Sequence, residues 1–459
     1  MPFDPIIAEM RFGVGLSPSI APPASVDDMM LRLRGPDESA ARFVIPLWAD
    51  ATPSPRDFRD LSQTRRAVRG TDREEAAQDR LRAMRDVARD QRGVDFGAQI
   101  ARAVSTKDGL RERLTRFWAD HFTVRSVSGT TRHLVAPFVE EAIRPHVAGR
   151  FADMLRAVAT HPMMLVFLDQ HVSMGPNSRA AQRRNRGLNE NLAREMLELH
   201  TLGVSGAYDQ TDVRALAELL TGLSYSAQSG FTFSDAMAEP GPEVVLGQSY
   251  GGGEPRLDDV FAVLDDLAAH PDTARHIARK IAVHFVADDP PIGLVDALAG
   301  AFAQSGGDLG VVTEALLRHP AAWAFEKRKV KLPIGFVTSG ARALDIDPDA
   351  LAAMSYNEGR RAFLGHLAVM GQPWEMPFGP DGWPEDSAEW ITAQGMAGRI
   401  TWAMTAPARL RDDLPDPREF VYTALGPDAD PAVAFAAQAA EDRVSGVGLV
   451  LASAEFQRR

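Results

Sequence analysis

The sequence has no cysteine among its 459 residues. This absence excludes disulfide bonds, thiolate zinc sites and cysteine nucleophiles together. It does not locate the protein, because a cysteine-free chain is compatible with every redox compartment. Stability must therefore come from a hydrophobic core, and a chain of this length has ample material to bury one.

Long hydrophobic runs are also absent. No uncharged apolar stretch approaches the roughly 20 residues that a membrane helix needs, so we expect no membrane span. The N-terminus begins Met1-Pro2-Phe3-Asp4 and lacks the basic segment and apolar run of a signal peptide. The default expectation is a cytoplasmic protein, while export together with a partner stays open.

Basic residues are fewer than acidic ones: the chain has 50 Lys and Arg against 62 Asp and Glu, which gives a formal net charge of -12. This balance disfavours non-specific binding to nucleic acid, so we expect no nucleic-acid partner.

The common catalytic signatures are missing as well. There is no Gly-x-Ser-x-Gly elbow, no P-loop and no dinucleotide fingerprint.

Helical periodicity is the dominant pattern that is present. After the N-cap residue Asp108, Leu110, Leu114, Trp118 and Phe122 recur every fourth residue, which predicts a helix with one apolar face. Similar stripes occur along most of the chain. We therefore predict a mainly α fold, a large single-domain helical bundle-like array that spans residues 1–459.

Signals for β-structure are confined to residues 230–253. The runs 231–234 and 244–247 are β-prone and are separated by a turn rich in proline and glycine, which predicts one small hairpin inserted between helices. The insertion suggests a possible subdivision into helical halves 1–229 and 254–459.

The dipeptide His-Pro occurs at 161–162, 270–271 and 319–320. Because the residue before proline avoids the α region, each pair should end one helix. Proline suits the first position of a helix, so the next helix should begin there. We expect the imidazole to meet the negative end of the preceding helix dipole.

The predicted helix 188–202 holds the densest polar cluster. The candidate catalytic residues on it are Glu190, Arg194, Glu195, Glu198 and His200. Carboxylates with histidine suit a divalent metal, although the spacing is neither Glu-x-x-His nor His-Glu-x-x-His. The alternative is an amphipathic helix whose charges form ion pairs at the surface.

Further residues are candidates for binding. They are Asn189, Asn191, His121, His161 and Asp169. His121 lies on the apolar side of its helix, where a core histidine bonded to a backbone carbonyl is the ordinary alternative. Asp169 follows an apolar run and is either a helix-end carboxylate or a site residue.

Several segments together resemble the bacterial domain-of-unknown-function family 1800. They are Phe-Trp-Ala-Asp-His-Phe at 117–122, 161–169, 188–204, Leu-Gly at 246–247, 270–280 with Lys280, and Gly-Trp-Pro at 382–384. The resemblance covers most of the chain. Asp120 departs from it, because the family usually has asparagine there, and a family histidine and lysine are missing near 238–243.

The resemblance implies a context rather than a reaction. Family members are often encoded beside a sulfatase-like protein, which implies a possible partner. Two functional classes therefore remain. One is an enzyme, such as a metal-assisted hydrolase with an unidentified divalent metal; the other is a non-catalytic binding or assembly partner. A polar pocket that joins the segments would favour the enzyme, and a broad apolar patch would favour the partner.

Overall fold

Helices account for most of the chain in the computed structural model, which confirms the predicted mainly α class. The structure describes residues 3–126, 129, 131–183, 187–324, 326–327 and 329–459. Within those ranges no helix has the length and apolar character needed to cross a bilayer.

Helices and single helical turns follow one another along the chain. The described α-helices are Pro5–Ile7, Val26–Arg34, Glu38–Arg42, Pro55–Ala67, Glu74–Ser105, Gly109–His121, Val135–Phe138, Phe151–Thr160, Pro162–Phe167, Asn191–Glu195, Gln210–Leu219, Leu257–Ala269, Pro271–Phe285, Ile292–Ser305, Leu309–Arg318, Pro333–Ala343, Pro348–Ala352, Tyr356–Gly359, Gly365–Val369, Ala393–Thr405, Pro407–Leu410, Pro417–Leu425, Pro431–Gln438 and Arg443–Ala452. Wider π turns are Ala8–Phe12, Val139–Ile143, Met196–His200 and Arg360–Leu364. Tighter 3-10 turns are Trp48–Asp50, Arg132–Leu134, Arg144–His146, Gln170–Val172, Ala181–Arg183, Pro320–Trp323 and Ser387–Trp390.

The β-structure consists of two separate hairpins, where the sequence predicts one. Strand Leu223–Ser226 pairs antiparallel with Gly230–Phe233, and strand Pro242–Val245 pairs antiparallel with Gln248–Gly251. The two β-prone runs therefore do not pair with each other. Each finds its partner in the residues next to it. The minor β-insertion between helices is therefore confirmed, but it contains two hairpins, and the first begins before residue 230.

A tight turn explains the pairing of the second hairpin. Leu246 and Gly247 both have positive φ, 51° and 78°, which is the backbone twist that a two-residue hairpin turn requires. Leucine seldom adopts this conformation. Asp212 supports it here, since its Oδ1 accepts a hydrogen bond of 2.7 Å from the Leu246 N–H.

The His-Pro pairs lie at helix junctions, as predicted, but the imidazole has a different role. In each pair the histidine Nδ1 accepts a hydrogen bond from the backbone N–H of the second residue of the following helix, the residue after the proline. The donors and distances are Met163 to His161 at 3.1 Å, Asp272 to His270 at 3.1 Å and Ala321 to His319 at 3.2 Å. The histidines are therefore N-caps that satisfy orphan donors of the next helix, and not cations at the end of the preceding one.

Replacing His270 with alanine should lower the free energy of unfolding by about 1 kcal/mol, because it leaves the Asp272 N–H without its acceptor. Asparagine is a strong N-cap residue, so His270→Asn should restore most of the loss. Urea unfolding measures both. Equal destabilisation by alanine and asparagine would contradict the capping role.

Buried apolar side chains form two large clusters. The first includes Trp118, Phe151 and Phe285, and the second includes Phe96 and Trp402. Helix Gly109–His121 contributes to the first cluster, while cavities beside it are also lined by residues 332–385. The candidate site lies along this junction. The organisation of residues 1–459 as a single domain stays a prediction.

Candidate functional site

Segments from three parts of the sequence meet around one cavity of about 390 Å³, here called the Lys280 cleft. Helix Gly109–His121 contributes Asp120 and His121 at its last turn, and helix Pro271–Phe285 contributes Lys280. The loop 378–385, which includes the Gly-Trp-Pro segment, closes the cavity. The structure thus brings together motif residues that lie far apart in the chain.

The loop is fitted closely onto Asp120. The Trp383 N–H donates a hydrogen bond of 2.9 Å to Asp120 Oδ1. Gly382 has φ +80°, and a Cβ at that position would lie 2.7 Å from the Asp120 carbonyl oxygen. Only glycine fits this contact without displacement of the backbone. Asp120 Oδ2 accepts no hydrogen bond from the described residues and is left for a group in the cleft.

Burial raises the pKa of the Asp120 carboxyl to about 7. The Trp383 hydrogen bond and the positive charge of Lys280 act in the opposite direction, while Glu385 and Asp381 add to the rise. Desolvation is the dominant cause because it disfavours the charged carboxylate. At neutral pH this carboxyl therefore exists in both protonation states, which is the condition for general acid–base catalysis.

Lys280 places an ammonium group in the same cleft. Burial lowers the pKa of Lys280, although the carboxylates of Asp120, Glu385 and Asp381 favour its charged form. Its Nζ has no hydrogen-bond partner among the described residues. Lys280 is half-buried, and a partly desolvated cation without a direct partner is costly, so its position points to a ligand that shares the cleft.

A group of histidines lies behind the cleft. The ring of His121 is 6.1 Å from that of His200 and 6.2 Å from that of His276. His121 Nε2 lies 3.1 Å from the His200 carbonyl oxygen, and His276 Nε2 lies 3.1 Å from the Leu199 carbonyl oxygen. Burial lowers the pKa of His200 to about 3 and that of His276 to about 4, so both rings are neutral at pH 7.

This donor set does not fit a metal ion. A backbone carbonyl occupies Nε2 of His121 and of His276, whereas Nδ1 of His121 and Nδ1 of His200 are buried and have no hydrogen-bond partner among the described residues. These two atoms alone do not make a metal site. Across the described ranges, no three histidine or acidic side chains converge in a way that could hold a metal.

An ion-pair network holds the loop 378–385 on the side away from Asp120. Glu385 Oε1 lies 2.5 Å from His284 Nδ1, and the Glu385 backbone carbonyl accepts a hydrogen bond from Lys329 Nζ. Lys329 also bonds Asp288 Oδ1 at 2.6 Å. Although burial alone would raise it, these cationic and hydrogen-bonding neighbours hold the pKa of Glu385 far below its usual range. The loop is therefore anchored by a charged carboxylate.

Most of the charged residues predicted on helix 188–202 lie at the surface. Arg194 forms i,i+4 ion pairs with Glu190 at 3.2 Å and Glu198 at 3.3 Å, and Gln210 joins them. The three charged side chains are 28–39% exposed. Pairs of this kind contribute only about 0.2–0.5 kcal/mol each. His200 is buried and Glu195 is half-buried, so the structure separates these two from the ion pairs.

Among the acidic residues of that helix, Glu195 is the one whose pKa is shifted by a residue of the cleft. Burial raises the pKa of Glu195, and the negative charges of Glu198 and Asp381 raise it further. Asp381 lines the Lys280 cleft. A site on this helix requires Glu195 and Glu198 to be largely buried, and they are not, because both remain partly open to solvent.

The candidate binding residues have mainly structural contacts. Asn189 Oδ1 accepts from the Asn191 N–H at 2.8 Å, and Asn191 itself is exposed. Asp169 is exposed and has φ 56° at a helix end. His161 pairs with Glu141 at 3.0 Å in a separate surface cavity. Among the predicted residues, His121 lines the Lys280 cleft.

The site residues that sequence reasoning did not select carried a detectable signal. His276, Lys280 and His284 recur every fourth residue on one helix, so a lysine lies on a face shared by two histidines. The chain also departs from the family pattern at Asp120. Either signal could have directed attention from helix 188–202 to the cleft.

A protein-family model described as "Protein of unknown function (DUF1800)" matches residues 11–458. The chain therefore belongs to the DUF1800 family, as the motif segments indicate. A search of curated proteins and a search of solved structures gave no match. The family description carries no reaction, so any function must be argued from the site.

Proposed function

We propose that the protein is an acid–base enzyme of the hydrolase type, with its reaction centre in the Lys280 cleft. Asp120 is the proposed proton acceptor and donor, and Lys280 the proposed electrostatic partner. The observation that carries the proposal is a carboxylate oxygen without a partner among the described residues in the same cavity as a half-buried ammonium group that forms no direct ion pair there.

The two groups suit complementary steps. In its ionised form Asp120 would take a proton from a water molecule as that water attacks the substrate. The Lys280 ammonium would stabilise the negative charge that develops on the substrate oxygen. Asp120 would then return the proton to the leaving group. Trp383 and Gly382 hold the carboxylate in place throughout.

The metal-assisted form of this hydrolase has less support. In the described ranges no three histidine or acidic side chains converge on a point that could hold a metal, so the residues described do not fit a metal centre. Activation of water is therefore assigned to Asp120 itself. Elemental analysis of the purified protein gives an independent check.

The test uses a panel of chromogenic esters, amides, phosphates and sulfates. Each compound is assayed in two forms, one with and one without an additional carboxylate on the rest of the molecule. Asp120→Asn keeps an oxygen for the Trp383 N–H but removes the titrating proton. We expect it to reduce kcat/KM by about 10²–10⁴-fold. The matched Asp79→Asn variant changes an exposed aspartate and should retain full activity.

The pH profile provides a second readout of the same panel. Because the base form of Asp120 is required, kcat/KM should rise through pH 7. It should fall again at higher pH as Lys280, whose pKa is lowered, loses its proton.

Glu198→Gln separates the two candidate sites. Retained activity in this variant with loss in Asp120→Asn assigns the reaction to the cleft. The reverse result would return it to helix 188–202. Absence of turnover by the wild-type protein on the whole panel would contradict the proposal and favour the alternative of a non-catalytic partner of a sulfatase-like protein.

A further inference from the structure

A second cavity adjoins the Lys280 cleft and shares Asp120 and Trp383 with it. We call it the Arg116 chamber. Its volume is about 170 Å³, similar to the cavity of about 150 Å³ that accepts benzene in another protein. The chamber is therefore large enough for one ring or a short branched chain.

Arg116 is the cation of the chamber that lacks a counter-ion. Its Nη2 lies 3.4 Å from Thr338 Oγ1, a long contact. No acidic side chain in the described part of the chain pairs with it directly, although Arg116 is half-buried and desolvation lowers its pKa. A guanidinium offers several donors in a planar fork that matches a carboxylate. The group is therefore available to an anion inside the chamber.

The other two arginines of the chamber wall form direct ion pairs, although Nη2 of Arg102 has no hydrogen-bond partner among the described residues. Arg102 donates to Glu140 Oε1 at 2.6 Å. Arg144 bonds Glu112 Oε1 at 2.5 Å and is also paired with an aspartate outside the chamber. Arg116 is therefore the arginine of the wall without a direct ion pair among the described residues. Two further wall carboxyls do not supply a full counter-charge at neutral pH, because burial raises the pKa of Asp120 to about 7 and that of Glu375 to about 8. The chamber is matched to a ligand with a single negative charge.

Two side-chain amides add hydrogen-bond donors to the wall. Gln99 Oε1 accepts from the Trp374 indole N–H at 3.3 Å, and Gln372 Oε1 accepts from the Ile334 N–H at 2.8 Å. With the oxygens fixed as acceptors, each NH₂ group has no partner among the described residues. Both amides are therefore free to donate to a ligand oxygen.

The rest of the wall is largely apolar. Val135, Phe138, Leu332, Ile334 and Leu367 line the chamber. Binding pockets for small molecules combine such a surface with a few polar groups that fix orientation. The ligand should therefore carry an apolar body next to its charged group.

We propose that the Arg116 chamber binds a small monoanionic carboxylate with an aliphatic or aromatic body. The carboxylate would lie against Arg116 and the amides of Gln99 and Gln372. The substrate's reacting bond would then lie towards Asp120, which lines both cavities. That last step rests on the proposed function, whereas the carboxylate site does not.

Calorimetric titration with benzoate tests the site without any turnover. We expect wild-type protein to bind benzoate and to bind the neutral isostere benzamide much more weakly. Arg116→Met keeps the length of the side chain and removes its charge, and should weaken benzoate binding by about 10- to 100-fold. Arg116→Lys should recover part of the affinity. Inorganic phosphate serves as the competing anion.

Stability separates a binding role from a structural one. Because Arg116 has no counter-ion among the described residues, Arg116→Met should leave the Tm unchanged or raise it. Arg102→Met, which breaks a satisfied pair, should lower the Tm. No benzoate binding by wild type, equal binding by Arg116→Met, or preference for phosphate over benzoate would overturn the proposal. If benzoate binds but the substrate panel shows no turnover, only the enzymatic proposal fails.

Discussion

Glu385→Ala should lower the free energy of unfolding by about 3–5 kcal/mol, because it breaks a buried charge network from one side. The variant leaves His284 Nδ1 without its partner at 2.5 Å and removes the carboxylate that faces Arg459. Lys329, whose side chain is 2% exposed, retains Asp288 but loses the second carboxylate. Chemical denaturation at pH 7 measures the loss.

The stabilisation by Glu385 should decrease in acid. The folded pKa of Glu385 is held below its unfolded value, so its stabilisation is present above the unfolded pKa. It is lost as the pH falls through the folded pKa. The gap between wild type and Glu385→Gln should therefore narrow in acid. Exposed Glu75→Ala should change stability by less than about 0.5 kcal/mol. A Glu385→Ala variant within about 1 kcal/mol of wild type would contradict the network's role.

Glu375→Gln should stabilise the protein in a pH-dependent manner. Burial raises the pKa of Glu375 to about 8 despite Arg92 at 3.5 Å, and neither carboxylate oxygen has a hydrogen-bond partner among the described residues. The folded pKa lies above the unfolded value of 4.5. Stability is therefore greatest where the carboxyl is protonated in both states, and it falls as the pH rises through 8.

Glutamine resembles the protonated carboxyl and does not titrate. The variant should match wild type below about pH 4.5 and exceed its stability by roughly 4–5 kcal/mol at pH 8, because the folded pKa of about 8 lies well above 4.5. Unfolding curves measured across this range test the slope, with Glu75→Gln as the control. A difference that is constant with pH would show that Glu375 is ionised in the folded protein.

Local patterns sufficed to predict the helices, because an apolar stripe such as Leu110, Leu114 and Trp118 has one efficient way to be buried. The hairpins were harder. Their pairing depends on the positive φ of Leu246 and on its bond to Asp212, and neither is visible in a β-prone run. The His-Pro junctions were predictable as breaks, but the capping bond depends on a side-chain rotamer.

The candidate site could be predicted only in part, because residue spacing alone does not show which polar groups meet in the folded protein. Glu190, Arg194 and Glu198 have the spacing of a functional face and also of a surface ion-pair ladder, and sequence does not distinguish the two. Asp120 and Lys280 belong to different helices, and only tertiary packing brings them to one cleft. The family motifs indicated both segments without indicating their contact.

The most direct test of the proposed reaction centre is a carboxyl ¹³C NMR titration of Asp120 in the intact protein, with the resonance assigned by its loss in Asp120→Asn. We expect a midpoint near pH 7. In Lys280→Met the midpoint should move higher, because the cation that favours the carboxylate is gone. A wild-type midpoint near the ordinary aspartate value of about 4, or one that Lys280→Met leaves unchanged, would contradict the assignment of these two residues as an acid–base pair.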